Sequence, residues 1–308
     1  MHDDDRTTRR RWLQLLAAGA ACAGAPGRAA TAPLITRAAR PGGPTLPLVG
    51  LGTWITFNVG DDAAERARCA EVMKAFFDAG GRLVDSSPMY GSSQAVVGEG
   101  LRRLGMPKAL YSADKVWTGS GARGPAQIEA SRRLWGIPRF DLLQVHNLLA
   151  WEAHLATLFA MKAEGRLRHV GITTSEGRRH DEIEQIMRSQ PLDFVQISYS
   201  LRDRRVEERI LPLARERGIA VIANRPFEQG ALTQALQRHP LPGWAAELGC
   251  TSWAQAALKF VISHPAVTCA IPATTRVDHV LENLGTARGP LPDEAMRRRI
   301  AADAGKLA

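Results

Sequence analysis

The chain has 308 residues, a formal charge of +9, 45% hydrophobic and 23% charged residues, which excludes wholesale disorder and allows one large domain or two modest ones. Four of the nine excess positive charges fall in the first 40 residues, so the rest is only mildly basic: enough for an anionic ligand, too dilute for a nucleic-acid surface. No run reaches the ~20 apolar residues of a membrane span.

In chain order, the leader comes first. Thr8-Arg9-Arg10-Arg11-Trp12-Leu13-Gln14, a weakly apolar stretch from Leu13 to Ala25, and the small residues Ala30-Thr31-Ala32 resemble a bacterial twin-arginine export signal. The expected division is a signal over residues 1–32 and a folded domain over 33–308, with the twin-arginine machinery as the leader's partner and the periplasm or exterior as destination. Cys69, Cys250 and Cys269 have no metal-ligand spacing to one another and read as buried thiols.

From about Leu46, short apolar runs alternate with amphipathic segments. The expected strands are Pro47–Gly52, Arg82–Ser86, Leu110–Lys115, Leu142–His146, His169–Ile172, Phe194–Ser198, Ala220–Ala223 and Thr268–Ile271. The helices between them are Ala63–Asp78, Gln94–Leu104, Gln127–Trp135, Trp151–Glu164, Asp181–Arg188, Val206–Arg217, Ser252–Ser263 and Val277–Leu284, with Pro290–Arg299 as an extra helix on the outside. Gly80, Gly105, Gly136, Gly165, Gly218 and Gly285 stand where left-handed helix caps belong.

Strands apolar along their length belong in a parallel sheet buried on both faces, and eight strand–helix units give an α/β fold, a (β/α)8 TIM barrel. A doubly wound open sheet is the alternative. Polar residues at the strand C-termini (Asp85, Lys115, His146, Thr173-Thr174, Gln196, Asn224-Arg225, Thr274-Thr275) favour the barrel, because its strand ends converge on one mouth.

Asp85, Lys115 and His146 end successive strands, and Tyr90 lies five residues past Asp85. A phenol with an ordinary pKa near ~10 is a poor acid at neutrality, and a nearby ammonium lowers that value. A carboxylate can hold the ammonium, and a neutral imidazole can hydrogen-bond a substrate oxygen. Singly, each has a bland structural role; together at one mouth they suggest a site.

Asp85-Ser86-Ser87-Pro88-Met89-Tyr90-Gly91-Ser92 resembles the signature of the aldo-keto reductases, and so, in order, do Gly50-Leu51-Gly52-Thr53-Trp54, Lys115-Val116-Trp117, Gln144-Val145-His146-Asn147, Gly171-Ile172-Thr173-Thr174, Gln196-Ile197-Ser198-Tyr199 and the Ile271-Pro272 to Asn283 segment. The resemblance implies a barrel that reduces an aldehyde or ketone by hydride transfer from NADPH. It makes Tyr90 the general acid, with Lys115 lowering its pKa, Asp85 orienting Lys115, and His146 positioning the carbonyl. It places the cofactor against Gly52, Thr53, Trp54, Thr173, Thr174, Gln196, Asn224, Arg225, Pro226, Phe227, Thr274, Arg276, His279, Glu282 and Asn283. Trp54 and Trp117 would line the substrate pocket.

The chain departs from the family at three points. Thr174 replaces the Asn that holds the nicotinamide amide, Asn224 replaces the aromatic that stacks on the ring, and Ala273 and His279 replace the Lys and Arg of the 2′-phosphate site. Arg276 with Thr274 is the expected substitute, which leaves NADPH favoured with NADH as the alternative. Gly119-Ser120-Gly121-Ala122-Arg123-Gly124 matches a dinucleotide fingerprint, but it follows the third strand and Asp141 precedes its own strand, so it reads as a rim loop. Two other functions stand beside the reductase. One is a non-catalytic nicotinamide-binding sensor or regulatory barrel, for which a Lys–Asp pair beside Tyr90 is superfluous; the other is a hydrolase or lyase barrel, for which neither a metal cluster nor a carboxylate pair is present in the pattern.

Overall fold

Strands buried on both faces need helices on one side and each other on the other, and closing the sheet on itself satisfies both demands. The computed structural model describes residues 32–39 and 43–307. The leader, including Thr8–Gln14, lies outside them. The compact unit Leu34–Ala308 begins with an antiparallel hairpin, β1 (Thr36–Ala38) and β2 (Thr45–Pro47). Eight parallel strands follow and pair in chain order: β3 (Leu51–Gly52), β4 (Leu83–Asp85), β5 (Tyr111–Val116), β6 (Phe140–His146), β7 (Leu167–Thr173), β8 (Phe194–Ser198), β9 (Ala220–Asn224) and β10 (Val267–Ala270).

The seam between β10 and β3 is held by single bridges rather than a ladder. Gly50 N–H donates to Ala270 O at 2.8 Å, Ala270 N–H to Leu48 O at 2.8 Å, and Gly52 N–H to Pro272 O at 3.1 Å. A Cβ on Gly52 would lie 2.6 Å from Ile271 O, so the close approach that shuts the barrel requires glycine there. β3 is only Leu51–Gly52, shorter than the expected Pro47–Gly52, because Pro47 belongs to the hairpin strand β2 and Val49 meets Ala270 through an isolated bridge.

The helices are α1 (Ala63–Asp78), α2 (Ser93–Arg103), α3 (Gly124–Trp135), α4 (Trp151–Ala163), α5 (His180–Ser189), α6 (Ile210–Arg217), α7 (Ala231–Leu236), α8 (Trp244–Glu247), α9 (Trp253–Ser263), α10 (Val277–Gly285) and α11 (Glu294–Gly305). Asp62 starts α1 by accepting the N–H groups of Ala64 and Glu65, both at 2.9 Å. Gly136 and Gly218 close α3 and α6 in the left-handed conformation. Gly285, expected as such a cap, is instead the last residue of α10, and Arg205–Glu207 form a separate short turn that delays α6 to Ile210. The hairpin, α7 and α8 were not expected from the pattern.

Two apolar layers result. One lies between sheet and helices; the other fills the barrel with Leu46, Leu83, Tyr111, Ala113, Leu142, Phe194, Ile222 and Cys269. Leu46 comes from the hairpin and is fully buried, so the hairpin plugs the N-terminal end. Polarity then rises along each strand, from Leu83 to Asp85, Ala113 to Lys115, Leu142 to His146 and Phe194 to Gln196. That gradient puts the polar groups at the opposite, C-terminal mouth.

Candidate active site

Lys115 is wholly buried, and its ammonium donates to Asp85 Oδ2 at 2.6 Å and to Ser86 O at 2.8 Å. The other oxygen of Asp85 accepts from Gln196 Nε2 at 2.8 Å. Thr53 Oγ1 donates to the Asp85 backbone carbonyl at 2.8 Å and itself accepts from Ser93 Oγ, so hydroxyls brace β4 from behind. A buried ion pair endures only where its remaining donors and acceptors are met, and here they largely are.

Tyr90 lies above this pair. The Lys115 ammonium is 4.8 Å from its ring centre, and the His146 ring stands edge-on to it with centroids 5.8 Å apart. Burial pushes the phenol up to about 12; Lys115 pulls it down and Asp85 pushes it up. Lys115 acts on the phenol in the expected direction, but burial, which the sequence did not reveal, outweighs it. Burial would also depress the Lys115 ammonium, but Asp85, Tyr90 and Asp114 together raise it above its ordinary value. His146 is held neutral, its pKa lowered to about 2 by burial and then by Lys115 and Arg178.

Ser87 Oγ lies 2.7 Å from His146 Nδ1. This contact was not expected from the sequence, although Ser87 sits in the most specific motif. It ties up one ring nitrogen and leaves Nε2 as the free one.

These groups open into a cavity of about 850 Å³ at the C-terminal mouth. It is lined by Asp85, Tyr90 and His146, with Lys115 behind them. Of the residues expected at the cofactor, Gly52, Thr53, Trp54, Thr173, Thr174, Gln196, Asn224, Arg225, Pro226, Phe227, Thr274, His279, Glu282 and Asn283 all line it. Arg276 does not. Its guanidinium is exposed and paired with Asp278, a correction that follows from the direction of the side chain rather than its place in the chain. Trp117 is likewise displaced from the expected pocket. It is 38% exposed and lines a neighbouring groove with Pro88, Arg123 and Leu149, its backbone N–H and C=O both bonded to the Gln127 side chain.

Asn224 is consumed by Ser198 Oγ at 2.7 Å and Thr174 O at 3.1 Å, and Arg225 instead places its guanidinium 5.8 Å from the Trp54 ring centre. Glu176 and Arg178 also face the cavity and were missed, since loop residues between a strand and a helix carry no periodic signal. The glycine-rich stretch after β5 forms a rim loop leading into α3. Asp141 lies inside β6 rather than before it, and accepts from the Ser112 N–H at 2.9 Å.

The cavity's donors suit a dinucleotide. Hydroxyl and amide side chains, the guanidinium groups of Arg178 and Arg225, and Thr274 in the loop that leads into α10 all line the cavity.

The family model described as the aldo/keto reductase family matches residues 48–303. The chain belongs to that family. As an aldo/keto reductase it is an NAD(P)H-dependent oxidoreductase of carbonyl chemistry. A methylglyoxal reductase of Escherichia coli K12 is 30% identical over 244 residues, covering 78% of this chain and 84% of that protein. An NADH-specific methylglyoxal reductase of the same organism is 29% identical over 237 residues, covering 65% and 70%. Among solved structures, an aldo/keto reductase of Klebsiella pneumoniae in complex with NADP and acetate superposes with a TM-score of 0.74 at 24% identity, covering 87% of this chain and 94% of that one, which establishes the barrel fold.

Proposed function

We propose that this chain reduces a small aldehyde or ketone, of the 2-oxoaldehyde type named for its two Escherichia coli relatives, with Tyr90 as proton donor and NADPH as the preferred cofactor. The observation that carries the reading is the buried Lys115–Asp85 pair set beneath Tyr90 at the cavity floor. A protein that only bound a nicotinamide would gain nothing from a buried ammonium at that point, so the enzyme is preferred to the sensor.

The reduced nicotinamide supplies the hydride when bound. Thr173, Thr174 and Gln196 would hold its amide side, and Thr274, His279 and Asn283 would meet its adenosine end. The carbonyl oxygen sits between Tyr90 and His146. With Ser87 donating to Nδ1, His146 carries its proton on Nε2 and donates to that oxygen. A phenol raised to about 12 keeps its proton at neutrality, and the alkoxide forming on the substrate is basic enough to take it. Lys115 then faces the phenolate left behind and stabilises it.

The test follows reduced-nicotinamide absorbance during turnover of methylglyoxal with NADPH and with NADH. Turnover with either supports the reading; binding of both cofactors without turnover of any aldehyde sinks it in favour of the sensor. For the leader, we propose export by the twin-arginine route. Changing Arg9 and Arg10 together to Lys keeps the charge and should abolish recovery from the periplasm, whereas unchanged recovery contradicts the assignment.

A further inference from the structure

Arg178 and Arg225 reach the mouth of the cavity from different loops, and the carboxylate of Glu176 lies between them. It is 3.0 Å from Arg225 Nη1 and 3.5 Å from Arg178 Nη2. All three side chains line the cavity. Arg225 also touches Trp54 through its guanidinium, 5.8 Å from the ring centre. Trp54 follows the first barrel strand and Glu176 the fifth, which stand opposite each other in a ring of eight. The Arg225 side chain therefore crosses the mouth.

Glu176 and Arg225 both have positive φ, 62° and 54°, a region that side-chain-bearing residues seldom occupy. Such strain is often stored at ligand sites, and these two residues both line the cavity and pair with each other there. Half-exposed ion pairs contribute little stability, so the Glu176–Arg225 pair does not by itself account for that strain. The charge is also unbalanced, because two guanidinium groups share one carboxylate. Arg178 otherwise bonds only within its own loop, to Ser175 O at 3.2 Å and Ser175 Oγ at 3.1 Å.

We propose that Arg178 and Arg225 form an anion site that Glu176 fills in the ligand-free protein, and that a phosphate or carboxylate group of the ligand displaces it. The proposal rests on the carbonyl-reductase reading only for the source of that anion, either the cofactor's diphosphate or a carboxylate on the carbonyl substrate. A charge-assisted, bidentate guanidinium contact suits both. Glu176 then acts as a competitor, so deleting its charge strengthens ligand binding.

The experiment titrates inorganic pyrophosphate into the full chain by calorimetry, for the natural protein, Glu176→Gln, Arg178→Ala and Arg225→Lys. The two exposed positions tolerate these changes, and Arg225→Lys keeps the charge while losing the fork. Glu176→Gln should tighten pyrophosphate about tenfold, and Arg178→Ala should weaken it by about the same factor or more. NADPH affinity moving in the same directions, with the methylglyoxal-to-glyoxylate selectivity constant, assigns the site to the cofactor. Selectivity for glyoxylate moving while NADPH affinity stays constant assigns it to the substrate. Pyrophosphate affinity unchanged in both Glu176→Gln and Arg178→Ala overturns the proposal. Calorimetry needs no turnover, so a chain that binds pyrophosphate as expected but reduces no carbonyl refutes the catalytic reading alone.

Discussion

Lys115 keeps its charge where water cannot reach it, and Asp85 is the reason. Breaking a buried pair by removing one partner leaves the other uncompensated, a loss of about 3–5 kcal/mol. Lys115→Met should therefore lower the unfolding free energy in urea by about that amount as well as abolishing turnover. A variant of natural stability would mean that the Lys115–Asp85 pair does not hold the fold together. His146 offers a second check. Its pKa is depressed to about 2, so the imidazole stays neutral down to that region instead of charging below ~6.5. The kcat/KM profile should thus show no inflection belonging to His146 between pH 5 and 8, and a step near pH 6.5 that vanishes in His146→Asn would contradict the neutral ring. At this scale the cluster was legible because Asp85, Lys115 and His146 stand at or within strand ends, whose side-chain direction follows from alternation, and because Tyr90 lies in the motif that follows Asp85. Arg276 and Trp117 were misplaced because loop side chains obey no such rule. Ser87, Glu176 and Arg178 were missed for the same reason.

Among the elements, α2 and α3 approach so closely that a Cβ on Gly98 would lie 1.8 Å from Leu134 O. Gly98→Ala must push the two helices apart, and overpacking of this kind typically costs about 1–3 kcal/mol, visible as a lower thermal midpoint. Asp193 ties β7 to its neighbours by accepting the Val170 N–H at 2.9 Å and the Lys162 ammonium. Burial would raise its pKa, but His169, Lys162 and that N–H outweigh it and lower it to about 2. A depressed carboxylate stabilises the fold above its unfolded pKa near ~4, and the contribution fades as pH falls toward 2. Asp193→Asn should cost about 2 kcal/mol at neutral pH and almost nothing near pH 2; an equal loss at both would exclude the charge as cause. Most long helices were legible to within a residue or two, α1 best of all because it combines a strong cap with an apolar stripe; α3 starts three residues earlier than expected, α6 four later, and α11 runs Glu294–Gly305 instead of Pro290–Arg299. The β1–β2 hairpin was not. Three-residue strands give too few alternations to register, and Leu46 is recognisable as a plug only once the barrel around it exists. The short helices α7 and α8 likewise fell below any periodic signal.

For the whole molecule, the apolar end of the barrel is closed by the hairpin and the polar end is left as the cavity, so stability and chemistry occupy opposite ends. Leu46→Ala should accordingly cost about 2–5 kcal/mol in unfolding free energy while leaving the KM for aldehyde within about twofold, because the cavity it opens lies far below Tyr90. A large change in KM would contradict that separation. The barrel was legible from eight alternating units and its closure from polar strand ends that converge on one mouth; the seam itself was not, because it depends on Gly50 and Gly52 meeting Ala270 and Pro272 across the whole length of the chain. The central claim is that Tyr90 delivers the proton. It is tested most directly by single-turnover reduction of methylglyoxal by bound NADPH in Tyr90→Phe, which removes one oxygen and leaves the ring packed between Trp54 and His146. The rate should fall by about 10²–10⁴-fold with cofactor affinity unchanged. A rate within about threefold of the natural protein would contradict the account.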